Sequence, residues 1–152
     1  MKLTVSFSGR CGFLNRQFRN DLRELVRCIV APEIKTIELS CVFMTDNELL
    51  EINNNFLGHD YYTDIITFGL DVSQNHIVGE VYISKERIKD NAIQYQVSEE
   101  DELVRVFSHG ILHLMGFKDK SAKEAATMRK EEDRCLSLWR KIRGVSRETI
   151  SI

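Results

Sequence analysis

A chain of 152 residues, 43% hydrophobic and 29% charged, has the composition of one globular domain, long enough to bury a core without disulfide staples. A formal net charge of −2 excludes a protein that coats nucleic acid over its whole surface, while leaving room for a local basic patch. The first ten residues are too short and too polar for a secretory core, and no later segment approaches a membrane span, so the expected compartment is the cytoplasm.

Lys2 to Phe7 alternates apolar and polar residues, as a strand with one buried face does. From Leu14 to Val30, Phe18, Leu22, Leu25, Val26 and Ile29 recur at helical spacing, with Asn15 or Arg16 opening the helix and Pro32 closing it. Arg16, Arg19, Arg23 and Arg27 align along one edge of that helix. They form either a basic stripe that tracks a phosphate backbone or a solvated face partnered by Asp21 and Glu24. Lys35 to Met44 reads as a second strand, and Thr45 with Glu48 makes a capping box for a helix to about Asn55, which Gly58 ends. Thr63 to Leu70 and Val78 to Ser84 are two further strands, expected to pair antiparallel across a polar loop around Ser73 to His76. Ser84 caps a helix to about Tyr95, Ser98 caps one over Glu99 to Met115, and Ser121 with Glu124 opens a last helix through about Arg143.

This order predicts an α+β fold, a single domain over residues 1–152, with a four-stranded mixed sheet and five helices. The helix carrying Leu103, Val106, Phe107, Ile111, Leu112 and Leu114 is apolar all round, so it belongs in the middle, packed by Leu136, Trp139 and Ile142 of the last helix. Cys11, Cys28, Cys41 and Cys135 form no C-x-x-C pair and read as reduced thiols. Cys28 and Cys41, in apolar surroundings, read as small buried hydrophobes.

The chemistry concentrates in His109-Gly-Ile-Leu-His-Leu-Met-Gly-Phe-Lys-Asp119. Histidines four apart on a helix project from neighbouring turns of one face and can share an ion, although such a pair also suits hydrogen-bonded core residues. Gly116 and Asp119 favour the ion. A glycine past the last turn takes the left-handed conformation and swings the chain back, so that Asp119 completes a three-ligand set with an open fourth position. The spacing follows the zincin pattern His-Glu-x-x-His-x-x-Gly-x-x-His with a carboxylate in third place, but Gly110 stands where a metalloprotease has its general-base glutamate. Lys118 and Lys120 flank Asp119 and either attract a phosphodiester or are solvated turn residues.

That run, with Thr63-Asp-Ile-Ile-Thr-Phe68 and Val78-Gly-Glu-Val-Tyr-Ile-Ser84 upstream, resembles the YbeY family of bacterial ribosomal-RNA maturation factors, its three blocks standing in the family's order. The resemblance implies a zinc-dependent, single-strand-specific endoribonuclease acting in small-subunit (16S) rRNA maturation and ribosome quality control. It implies one zinc ion per chain, ribosomal RNA, the small ribosomal subunit and ribosomal or GTPase assembly proteins as partners, and no membrane. Carried over residue by residue, His109 and His113 are ligands, and Asp119 stands where the family has a third histidine, a harder ligand that admits other divalent metals.

Leu57 stands where the family has an arginine; His59, two residues on, is a candidate replacement donor or an exposed loop histidine. Thr63, Asp64, Gly79 and Glu80 are expected to shape the cleft, with Asp64 or Glu80 able to enter the site. The expected catalytic residues are therefore His109, His113 and Glu80. The expected RNA contacts are Arg16, Arg19, Arg23, Arg27, His59, Lys118 and Lys120, with Tyr61, Tyr62 and Phe117 as stacking platforms or cleft wall. The competing reading is an assembly factor that holds RNA without cutting it, around a structural metal; a metalloprotease is disfavoured by Gly110.

Overall fold

Three strands lie parallel, a pairing that requires the helix-length crossovers between them. In a computed structural model these are β1 (Lys2–Ser8), β2 (Thr36–Met44) and β4 (His76–Ser84), with β3 (Ile65–Val72) joined to β4 by a hairpin and therefore antiparallel to it. The sheet order is β1-β2-β4-β3, which leaves β3 at one edge. The helices are α1 (Arg16–Ile29), α2 (Asp46–Leu57), α3 (Lys85–Tyr95), α4 (Glu99–Leu114) and α5 (Ala122–Ile150). The structure describes residues 1–150, with side chains through Gly144, so residues 151 and 152 of the expected domain lie outside the described residues.

The predicted α+β arrangement is the one observed, and the differences are local. The β3 strand starts at Ile65 and runs on to Val72, and β4 begins at His76, because the hairpin pairs Val72 with Ile77 through an irregularity between Gly69 and Asp71. The expected N-caps Thr45, Ser84 and Ser98 each accept from the backbone N–H three residues on, as does Asn15, which caps α1 so that Arg16 is its first residue, and Thr45 with Glu48 completes its capping box. Cys41 is fully buried, but Cys28 is exposed, contrary to expectation, because it sits one turn beyond the exposed Glu24 on the outer flank of α1.

Alternation along the strands turns Ile37, Leu39, Cys41 and Phe43 of β2 and Ile77, Val81 and Ile83 of β4 toward the helices. Against that face lies α4, nearly all of whose apolar side chains are buried, Val104, Phe107 and Leu112 completely. Its close seat on the sheet depends on two glycines. A β-carbon on Gly110 would lie 2.8 Å from Ile65 Cδ1 and 3.1 Å from Val81 Cγ1, and one on Gly79 would lie 2.9 Å from Leu114 Cδ1. Gly79 is therefore a seat for the last turn of α4.

The long α5 covers α4 and α1 together. Trp139 packs on Phe18 of α1 at a ring-centroid distance of 4.9 Å, so the expected docking of the last helix on α4 extends to α1 as well. Full burial of a side chain such as Phe18 is worth about 1.5–3 kcal/mol. No helix among the described residues is long and apolar enough to cross a membrane.

Candidate metal centre

His109 and His113 emerge from consecutive turns on the C-terminal half of α4. The helix ends in a Schellman turn, in which the N–H of Phe117 donates to Leu112 O and that of Gly116 to His113 O, with Gly116 at φ +99°. This reversal has two effects. It lays the Phe117 carbonyl over His113, whose Nδ1 donates to it at 2.9 Å, and it returns Asp119 to the helix face. Asp119 Oδ2 then lies 3.2 Å from His109 Nε2 and 3.3 Å from His113 Nε2, and the two Nε2 atoms are 2.9 Å apart.

The donor set suits zinc. A carbonyl and a carboxylate can only accept, so Phe117 O and Glu132 Oε2, the latter 2.6 Å from His109 Nδ1, each require a proton on the Nδ1 they meet. In the neutral rings that leaves both Nε2 lone pairs facing each other and a carboxylate oxygen, a triangle of acceptors that only a proton or a cation reconciles. A tetrahedral zinc ion with bonds of about 2.0–2.1 Å spaces its ligands about 3.3 Å apart, close to the separations found. Among the described residues His109, His113 and Asp119 are the group of this kind.

Glu132, on α5, was not expected. It is 6% exposed and is held by Arg105 Nη1 at 3.0 Å, while Arg105 also reaches Asp133 at 2.7 Å. A carboxylate on the outer nitrogen of a metal-binding histidine fixes the ring's tautomer and orientation. One signal in the sequence points to it: Met128, Cys135 and Trp139 line the buried face of α5, and Glu132 falls on that face at helical spacing, a charge in a core position.

Burial opposes a charged His109, but the hydrogen bond and charge of Glu132, helped by Asp119 and Asp64, outweigh it and raise its pKa above the ordinary 6.5. Burial likewise pushes Glu132 up, and the His109 and Arg105 contacts more than offset this and lower it. An ion must displace the Nε2 proton of His109, which is held more tightly than on a free imidazole. The apparent zinc affinity of the metal-free protein should therefore fall by roughly tenfold per pH unit as the solution is acidified below the raised pKa. Competition with a chromophoric chelator between about pH 6 and pH 8 checks this, and a flat profile would contradict it.

A groove of about 1110 Å³ runs past this centre, between the α4 terminus, the β3 edge and the segment after α2. His59, Tyr61, Thr63, Asp64 and Lys120 line it together with His109, His113 and Asp119, and so does Leu57, so no arginine stands at that position. The segment is anchored by buried Asn53, whose Nδ2 donates to Tyr61 O at 2.9 Å. His59 stacks on Tyr61 at 5.1 Å. Burial raises the pKa of Asp64, partly countered by nearby His109.

Other expectations are not met. Glu80 points from the opposite face of the sheet, since it alternates with Gly79 and Val81, and it accepts from Tyr82 OH at 3.0 Å. It stands apart from the groove. The stripe Arg16, Arg19, Arg23 and Arg27 also does not reach the groove, because α1 packs beside β1 while the centre lies over β3, across two intervening strands. Within it Arg23 donates to Val5 O, Arg19 to Leu14 O and Arg27 to Glu24. Lys118 is exposed outside the groove. Tyr62 donates to Asn47 and lies under Arg87, and partly buried Phe117 serves through its carbonyl. Gly110 packs on the sheet, so a protease's glutamate has no room there.

Known proteins resemble this chain over most of its length. The sequence model described as "Endoribonuclease YbeY" matches residues 11–140. An endoribonuclease YbeY of Cytophaga hutchinsonii is 46% identical over 121 residues, 79% of this chain and 85% of that protein. Another, of Flavobacterium psychrophilum, is 38% identical over 135 residues, 89% of this chain and 96% of that one. A Thermotoga maritima protein solved in solution superimposes with a TM-score of 0.62 at 27% identity, covering 97% of this chain and 93% of its own.

Proposed function

The chain belongs to the endoribonuclease YbeY family, and from that premise we propose that it is a zinc-dependent hydrolase that cuts single-stranded RNA during maturation of the small-subunit (16S) ribosomal RNA. One observation carries the reading: two imidazole Nε2 atoms and a carboxylate oxygen converge within 4.8 Å at the wall of a groove, with both outer nitrogens already committed to acceptors.

His109, His113 and Asp119 hold the ion. When bound, zinc supplies a Lewis acid and lowers the pKa of its water toward neutrality. Asp64, made more basic by burial, faces the same groove and takes the proton of the attacking water. Lys120 and His59 offer donors to the phosphodiester, and Tyr61, 57% exposed, offers a ring to an unstacked base. The enzyme works in the cytoplasm, on ribosomal RNA within the small subunit and alongside its assembly proteins, in ribosome quality control as well as maturation.

Metal removal tests this. Protein prepared without affinity histidines should carry one zinc per chain by mass-spectrometric metal analysis. It should cut a single strand but spare the same sequence in a duplex, lose cleavage on chelation and regain it with added zinc. Asp119→Ala should lower the occupancy. Undiminished cleavage by exhaustively chelated protein defeats the proposal.

A further inference from the structure

Behind His109, on the side away from the groove, lies a second cavity of about 290 Å³, lined by Asn91, Tyr95, Glu102 and Arg129 among others. It shares Asp64, Ile65 and His109 with the groove, so the two cavities adjoin across these side chains. Nothing in the proposed chemistry uses it.

Its hydrogen-bonding groups are unevenly satisfied. Glu102 is only 4% exposed, and among the described residues the one hydrogen bond to its carboxylate comes from Asn91 Nδ2 at 3.4 Å. The same Nδ2 is also 3.4 Å from Asp64 Oδ2. The Nδ2 group of Asn91 is thus shared at long range between two carboxylates, and the Glu102 carboxylate, which lines the cavity, keeps acceptor capacity to spare. Burying a carboxylate with so weak a donor is costly, and a ligand bringing donors relieves that cost. Arg105, which also lines the cavity, turns Nη1 to Glu132 and Nη2 to Asp133. At the mouth stand Tyr95, 60% exposed, and Arg129, whose side chain is 67% exposed and only loosely paired with Glu132 at 3.9 Å.

We propose that this cavity receives an unstacked nucleobase from a nucleotide next to the scissile phosphate, and that its acceptors select a base with paired donors, guanine above the others. The N1–H and N2–H groups of guanine lie side by side and match one carboxylate, whereas uracil presents a single N–H between two carbonyls. Tyr95 stacks on the base and Arg129 neutralises its phosphate. A base in a duplex has no free Watson–Crick edge, so the subsite also discriminates against paired RNA. This inference rests on the endoribonuclease reading above.

Competition cleavage by the zinc-loaded protein tests it, using single strands of uracil with guanine, inosine or adenine stepped through the positions around the cut. At one fixed position guanine should raise kcat/KM about tenfold over uracil, and inosine, which lacks the 2-amino group, should lose most of that gain. Glu102→Gln should bring the guanine-to-uracil ratio to about one, while Tyr95→Ala should lower kcat/KM for every strand and keep the ratio. The inosine comparison on the unaltered protein decides even where a variant fails to fold. No position with a guanine preference, or a preference that survives Glu102→Gln, overturns the subsite. Cleavage of no strand at all overturns the endoribonuclease reading, and the subsite with it.

Discussion

His113→Ala abolishes cleavage of single-stranded RNA and leaves the fold standing. The substitution removes one of two imidazole nitrogens in the ligand set, and two remaining ligands cannot keep the ion at working concentrations. The loss is that of the Lewis acid, worth several kcal/mol in the transition state, or on the order of a thousandfold or more in kcat/KM. The fold survives for a separate reason. His113 is partly exposed and on the groove side of α4, and alanine is a better helix former, so what is lost is the bond to the Phe117 carbonyl and the Nε2 contacts with His109 and Asp119. Gel-resolved cleavage of a labelled single strand, with circular dichroism melting as the control, decides it; activity within about tenfold of the parent would remove His113 from the site.

Glu132→Gln weakens zinc binding by about 10–100-fold and changes the reaction little once the ion is saturating. Glutamine can still accept from His109 Nδ1. It brings no negative charge, however, and its amide can turn to donate, which favours the tautomer with the proton on Nε2, where the ion must bind. Arg105 also loses a charged partner. A chelator competition gives the affinity, and cleavage at increasing zinc separates this residue, which positions a ligand, from the ligands themselves. Unchanged affinity would mean that the 2.6 Å contact has no influence on the ion.

The convergence of the candidate ligands could be read from the chain because everything that assembles it is local: a four-residue helical spacing, a glycine able to take φ +99°, and an aspartate three residues beyond. Glu132 could not be read in the same way. It lies 23 residues from His109 on another helix, and a charge on an apolar stripe announces a buried partner without naming it. Glu80 shows a different limit. Alternation along β4 separates it from Gly79 and Val81, but which side of the sheet carries the metal helix depends on crossovers that no strand pattern encodes. The arginines of α1 do share an edge, and only the strand order shows that this edge is remote from the groove.

The candidate metal centre draws on two helices, α4 and α5. His109, His113 and Asp119 are all translated before the carboxylate that orients His109, and α5 is seated by Trp139 against Phe18, contributed from near the opposite end of the polypeptide. A chain made only as far as Asp119 thus owns the three candidate ligands without the carboxylate that holds the His109 ring. The complete candidate site exists only once the final helix has settled into place.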